Sequence, residues 1–197
     1  MGVNLETVCD HQLYYDPNDK ETAAKKMLDL LNSIEVPNAE FLAWFYKRWN
    51  ELPEDAVIPV KEWRYYFDPE EDMSREDSGI DFLGPFDLEF TLLPNMVSFF
   101  SPSYRYWQWY LEDLKDLYIE PWRKVYHFYT KAFGGSQLVY FHDTMPEIDL
   151  KYLPNTTVES LIKALRDKHV ETFIKYHPNT KEMDFDFYVE NLENKEK

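Results

Sequence analysis

The sequence has few cysteines, glycines and basic residues, and it lacks a long apolar run. Cys9 is the only cysteine among 197 residues, so an intrachain disulfide is excluded. No apolar run approaches the roughly 20 residues of a membrane-spanning helix. The first residues also lack the basic flank and apolar stretch of a secretory signal. We therefore expect a cytoplasmic protein without a membrane segment.

Positive charge is scarce as well. The chain has 21 lysines and arginines against 37 aspartates and glutamates, which gives a net charge of −16. This balance disfavours direct binding of nucleic acid, because phosphate contacts need a basic face. It permits a ligand for a basic protein or a mimic of a nucleic acid.

Aromatic residues, in contrast, are abundant and indicate a folded chain. Only five glycines stand beside 15 tyrosines, 14 phenylalanines and six tryptophans, and hydrophobic residues make up 44% of the chain. That much apolar area can offset the entropy of ordering in spite of the charge. We expect a single α+β domain over residues 1–197, with an antiparallel or mixed sheet of about four to five strands packed by amphipathic helices.

The stretch from Ser103 to Asp143 is expected to organise the core. Pro121 has no N–H to donate, so it should stand at the start of a helix. Gly134 and Gly135 should end that helix, and Gln137–Phe141 should follow as a strand. The helical spacing of apolar residues predicts buried side chains at Trp107, Leu111, Leu114, Trp122, Tyr126 and Tyr129.

Patterns on either side of this stretch predict further helices and strands. Apolar spacing predicts a two-helix hairpin that begins at Asn18 or Asp19 and is interrupted at Pro37. Strict alternation predicts a strand over Phe86–Leu92, with Met96–Phe100 returning antiparallel beside it. Thr156 and Glu159 predict a capping box for a helix that ends near Lys168.

The remaining segments have weaker patterns. Val57–Val60 and Val170–Tyr176 are candidate strands, and residues 184–192 fit a strand or a helix, with a strand favoured. Residues 1–17 are interpreted as an N-terminal arm and residues 190–197 as a charged, frayed tail.

Half of the net charge lies in one stretch. Between Asp68 and Glu89, nine acidic residues accompany a single basic residue, a net charge of −8. Residues 68–81 are predicted to form an acidic loop, and their spacing does not match an EF-hand. Aromatic rings flank the loop, and rings beside carboxylates suit a tight interface with a basic partner. The alternative, slightly favoured because charge runs are usually solvated faces, is that the rings belong to the core and the loop only adds solubility. The candidate binding residues are Trp63, Tyr66, Glu70, Glu71, Asp72, Asp77, Asp81 and Phe82.

No motif names a reaction, and no cofactor or metal is expected. His142 and Asp143 end a predicted strand and, with His127, are the candidate catalytic residues of an alternative function, a metal-dependent hydrolase. Such enzymes present the His-Asp pair from a helix with further ligands at helical spacing. An exposed histidine at a strand end is therefore the favoured interpretation.

The favoured function is non-catalytic. We expect an acidic protein that binds a basic protein partner, as inhibitors, immunity-like proteins and defence-related adaptors do. The alternatives from other classes are the hydrolase and the nucleic-acid mimic.

Overall fold

A computed structural model describes residues 4–66, 79–100, 112–171 and 187–192. Within these residues the chain is α+β, with one antiparallel sheet in the order β2-β3-β4-β5-β1-β6-β7. The strands are β1 (Leu5–Cys9), β2 (Arg64–Tyr66), β3 (Ile80–Leu83), β4 (Glu89–Leu92), β5 (Val97–Phe100), β6 (Gln137–His142) and β7 (Tyr188–Asn191). The helices are α1 (Lys20–Ser33), α2 (Ala39–Trp49), α3 (Glu120–Ala132) and α4 (Val158–Lys168). None of the described helices is long and apolar enough to cross a bilayer.

The sheet has more strands than the sequence predicts, and one of the strands inside it, β1, was not predicted. Seven strands replace the expected four to five. The predicted arm, residues 1–17, contains β1, which pairs with β5 on one side and β6 on the other. Leu5, Val8 and Cys9 are buried. Because both faces of this strand are covered, it lacks the alternation that marks a half-buried strand.

One face of the sheet carries the main aromatic core. Side chains of β3, β4 and β5 such as Phe82, Phe90 and Phe99 pack there against α1, α2 and α3. The Phe90 ring lies 4.7 Å from Tyr129, measured between centroids. Edge-to-face contacts of this kind add to the hydrophobic term, so this layer fixes how α3 sits on the sheet.

On the opposite face, the described residues form a smaller apolar cluster at one end of the sheet. Val139 and Phe141 of β6 and Val8 of β1 pack there against Leu161 and Leu165 of α4. Toward β2, β3 and β4, the side chains on this face become polar and partly exposed. The face therefore changes from core to open surface along the strand order.

The helical hairpin is confirmed. Asp19 caps α1 by accepting from the Thr22 N–H, and α2 begins after Asn38, whose φ of 50° lies in the left-handed region that asparagine tolerates. The hairpin of β4 and β5 is also confirmed. Its first strand starts later than predicted, because Phe86 and Asp87 form a turn with φ of 58° and 55°.

The predicted helix at Pro121 is confirmed as α3. It follows a short π-helical segment without a break. Residues 115–119 wind as a π-turn, which leads into α3 with Pro121 in its first turn. Gly134, with a φ of 77°, ends the helix as predicted, and β6 follows. Trp122, Tyr126 and Tyr129 are buried as expected and Leu114 is half-buried, whereas Trp107 and Leu111 lie outside the described residues.

Three further expectations need correction. The α4 capping box uses Thr157 and Ser160, one residue later than predicted, with Thr157 Oγ1 accepting from the Ser160 N–H at 3.2 Å. Val57–Val60 is exposed coil. The predicted tail at 190–197 begins inside β7, which confirms a strand in that region. Of the candidate strand Val170–Tyr176, only residues 170 and 171 are described. Glu171 forms an isolated parallel β-bridge with Phe187.

Candidate functional site: an acidic sheet face

The open end of the sheet presents an acidic face, which we define as Tyr66, Asp81, Glu89 and Thr91. Tyr66 pairs with Asp81 in the register of β2 and β3, and Asp81 pairs with Thr91 in that of β3 and β4. Their neighbours in sequence, such as Phe82 and Phe90, point into the aromatic core. Strand alternation therefore places these four side chains on the same side, away from α1, and puts Arg64 and Leu83 there with them.

Hydrogen bonds fix the two carboxylates of the acidic face. Thr91 Oγ1 donates to Asp81 Oδ1 at 2.7 Å. Tyr66 Oη donates to Glu89 Oε1 at 3.2 Å, although the tyrosine is 49% exposed. Each carboxylate keeps further lone pairs for a donor from outside. The face is thus a preordered arrangement of acceptors, with an amphipathic ring at its edge.

The electrostatics of this face reflect two negative groups held close together. Partial burial raises the pKa of Glu89, and the Asp81 carboxylate raises it further, while the Tyr66 hydrogen bond opposes the change. Burial likewise raises the pKa of Tyr66, and the carboxylates of Glu89 and Asp81 add to the effect, while the Arg64 cation opposes it. A cation placed between Asp81 and Glu89 would relieve this repulsion.

Two of the predicted interface rings lie beneath the surface. Trp63 is 5% exposed and stacks on Phe90 at 5.0 Å, and Phe82 is fully buried. Gly84 allows the close approach of Trp63, because a Cβ there would lie 2.5 Å from the indole. In the structure these rings support the sheet from the core side, and Tyr66 is the aromatic residue of the predicted set that is exposed.

The other predicted binding residues are five acidic residues. Asp81, the last residue of the predicted acidic loop 68–81, belongs instead to strand β3 and lies on the acidic face. Glu70, Glu71, Asp72 and Asp77 lie outside the described residues. In sequence they belong to the segment that joins β2 to β3, the two strands that carry Tyr66 and Asp81.

Sequence reasoning did not select Glu89 and Thr91 as binding residues. The signal was present, because Phe86–Leu92 alternates and places Glu89 and Thr91 on the polar side of the strand. What the sequence could not supply was the register, which brings Glu89 within reach of Tyr66 across the intervening strand β3.

The structure does not join His142 and Asp143 in a common site. His142 is 5% exposed, so the interpretation as an exposed histidine is wrong, and its Nδ1 shares a hydrogen bond of 2.7 Å with Thr144 Oγ1. Burial lowers the pKa of His142 and the nearby His169 ring lowers it further, while the carboxylates of Asp143 and Glu147 oppose the change. The Asp143 carboxylate instead accepts from the backbone and side-chain N–H groups of Asn4, at 2.9 and 2.8 Å.

His127 belongs to a different cluster on α3. Its Nε2 lies 2.8 Å from Glu190 Oε2, and Arg123 Nη2 lies 2.6 Å from Glu190 Oε1. Tyr140 also donates to Glu190 at 3.1 Å. The cluster links α3 to β6 and β7. Among the described residues, no group of three or more histidine, cysteine, aspartate or glutamate side chains is arranged to hold a metal ion.

Comparison of the chain with protein-family models, with curated proteins and with solved structures finds no match.

Proposed function

We propose that this chain is a non-catalytic binding protein that engages a basic protein partner through the acidic face. The observation that carries the proposal is the pair of carboxylates, Asp81 and Glu89, held by Thr91 and Tyr66 on an open part of the sheet. Inhibitors, immunity-like proteins and defence-related adaptors are the functional types in which such a surface is used.

The acidic face favours a basic partner at two stages, encounter and docking. A net charge of −16 attracts a basic partner over a long range and raises the rate of encounter. Asp81 and Glu89 already have fixed positions, so little side-chain entropy is lost when they meet lysine or arginine. Tyr66 adds an exposed ring of the kind that is enriched at the centres of interfaces.

The experiment is capture of a partner from the native host, with the purified chain as bait. The test variant is Asp81→Asn with Glu89→Gln, because both amides can still accept the bonds from Thr91 and Tyr66 while the charge is lost. The matched control is Asp29→Asn with Glu35→Gln, which removes the same charge from exposed positions on and just after α1.

We expect a basic protein to be retained by the wild type and by the control, and to be lost or strongly depleted with the test variant. Equal retention by both variants would show that net charge alone, or another surface, is responsible. Failure to retain a basic protein on any bait would contradict the proposal.

A further inference from the structure

A groove of about 580 Å³ runs along α2, on the layer of helices that covers the opposite face of the sheet from the acidic face. Ala43, Trp44 and Leu52 supply the apolar part of its lining. Trp44 and Leu52 are 37% and 39% exposed, so apolar surface is open to a partner. The Trp44 ring lies 5.4 Å from Tyr118, measured between centroids, and this contact orders the ring before a partner arrives.

The charges around the groove are balanced, so their order along the chain decides what fits. Glu40 and Glu54 supply two carboxylates, and Lys47 and Arg48 supply two cations. Lys47 Nζ donates to the main-chain oxygen of Glu54 at 2.5 Å, so these two residues meet at one end of the groove. A balanced groove selects neither an anion nor a cation. We expect its occupant to carry charges of both signs in a matching order.

Three exposed residues form one stripe on α2, namely Glu40, Trp44 and Arg48. Residues four apart lie on the same side of a helix, so the ring stands between the two charges. Glu40 and Arg48 are about 12 Å apart along the helix axis, which is too far for a close ion pair between them. In the described part of the chain neither residue pairs with an opposite charge, and the Arg48 guanidinium lies 5.8 Å from the Trp44 ring centroid.

We propose that the groove is the docking site for a second copy of the chain, with the two α2 helices antiparallel about a two-fold axis beside Trp44. In such a pair, residues at equal distances before and after Trp44 face each other. Glu40 of each copy therefore meets Arg48 of the other copy, and the ion pair forms twice. The two Trp44 rings lie between these ion pairs and lose contact with water. The small side chain of Ala43 permits a close approach of the helices.

The net charge of −16 on each copy opposes this association, but the fold limits its effect. The acidic face lies on the far side of the sheet from α2, so the dimer carries its two acidic faces on opposite outer sides. Charges separated by more than a Debye length, about 8 Å at physiological ionic strength, are largely screened. Because both acidic faces stay open, the dimer is compatible with the proposed function and does not depend on it.

Sedimentation velocity of the full chain at physiological ionic strength tests the proposal. The wild type should be a monomer on dilution and should form a dimer as its concentration rises to about 100 µM. Trp44→Ala should weaken the dimer by about tenfold or more, because it removes the ring at the two-fold axis.

Charge reversal tests the antiparallel pairing. Arg48→Glu and Glu40→Arg should each weaken the dimer by about tenfold or more, because like charges then face each other at two places. An equimolar mixture of these two variants should associate again, and so should the double variant, since opposite charges face each other in both cases. Both positions are exposed, so these variants should fold even if Trp44→Ala does not. Lys163→Glu, with the charge change of Arg48→Glu at an exposed position of α4, is the matched control and should leave the dimer unchanged.

Three results would overturn the proposal. The first is a wild type that remains monomeric at about 100 µM. The second is a dimer that Arg48→Glu and Trp44→Ala leave unchanged, which would assign the interface to another surface. The third is failure of the mixture or of the double variant to restore association, which would show that Glu40 and Arg48 do not face each other.

Discussion

Arg123 Nη2 lies 2.6 Å from Glu190 Oε1, and this ion pair fastens the edge strand β7 to helix α3. Both side chains are largely buried, with 17% and 16% of their surfaces exposed. Glu190→Gln removes one of the two carboxylates that pair with Arg123, the other being that of Glu120, and it also removes the negative charge beside His127. Because Arg123 keeps Glu120, we expect Glu190→Gln to lower the free energy of unfolding by about 2 kcal/mol, measured by urea denaturation.

The control for this prediction is Glu21→Gln. Glu21 pairs with Lys25 on α1, where both side chains are more than 60% exposed. Solvent screens that pair, so its loss should cost less than about 0.5 kcal/mol. Equal losses for the two variants would contradict the role assigned to Glu190 in anchoring β7.

The carboxyl group of Glu147 should make the stability of the protein depend on pH. Burial would raise the pKa of this carboxyl, but hydrogen bonds from Lys168 and His169 outweigh it and lower the pKa from 4.5 to about 2. A carboxyl with a lowered pKa in the folded state stabilises the protein above its unfolded pKa. That contribution is lost as the pH falls from about 4.5 toward 2.

We therefore expect Glu147→Gln to reduce stability at pH 7 and to flatten the loss of stability on acidification. The effect should be about 2 kcal/mol, since the Lys168 partner is largely exposed and screened. Urea denaturation across the acidic range measures it, and Glu35→Gln at an exposed position is the control. An unchanged pH profile in Glu147→Gln would show that these contacts do not control the titration.

Trp122 is central to the helical layer. Its ring makes edge-to-face contacts with Phe45 at 5.2 Å and Phe41 at 5.6 Å, and it is 1% exposed. Trp122→Ala should cost about 3 to 5 kcal/mol in urea denaturation, because it leaves a large cavity between α2 and α3. Trp49→Ala, at a residue that is 55% exposed, should cost less than about 1 kcal/mol. A loss for Trp122→Ala in the range of the Trp49 control would contradict the organising role of this region.

The sequence predicted the elements that depend on residues close together in the chain. The hairpin of α1 and α2, the pairing of β4 with β5 and the end of α3 at Gly134 follow from spacing, alternation and backbone preference. The inner strand β1 was missed because burial on both faces removes the period of two. The burial of Glu190 was missed because it depends on Arg123, 67 residues away in the chain.

The candidate site was predictable only in part. The acidic stretch of the sequence correctly indicated Asp81 as a residue of the surface. Placing Phe82 on the same surface was wrong, because adjacent side chains of a strand point to opposite faces. Ile80 and Phe82 are buried, while Asp81 lies on the open side. The pairing of Tyr66 with Glu89 depends on register across three strands, and no short-range pattern contains that information.

The final prediction concerns the rate at which a basic partner associates. If the acidic face guides the encounter, added salt should slow association and change dissociation less, because charges beyond a Debye length of about 8 Å are screened at physiological ionic strength. Asp81→Asn with Glu89→Gln should reproduce the slow association of the wild type at high salt. Tyr66→Ala should mainly speed dissociation, since an anchoring ring acts after the encounter.

Surface plasmon resonance with the captured partner measures both rates at several salt concentrations. The control, Asp29→Asn with Glu35→Gln, should keep most of the wild-type rate because it carries the same net charge change away from the acidic face. Neutralising Glu70, Glu71 and Asp72 to Gln, Gln and Asn should slow association further, since these charges adjoin the face in sequence. Unchanged association in both acidic-face variants would place the interface elsewhere and leave the carboxylates as a solubilising surface.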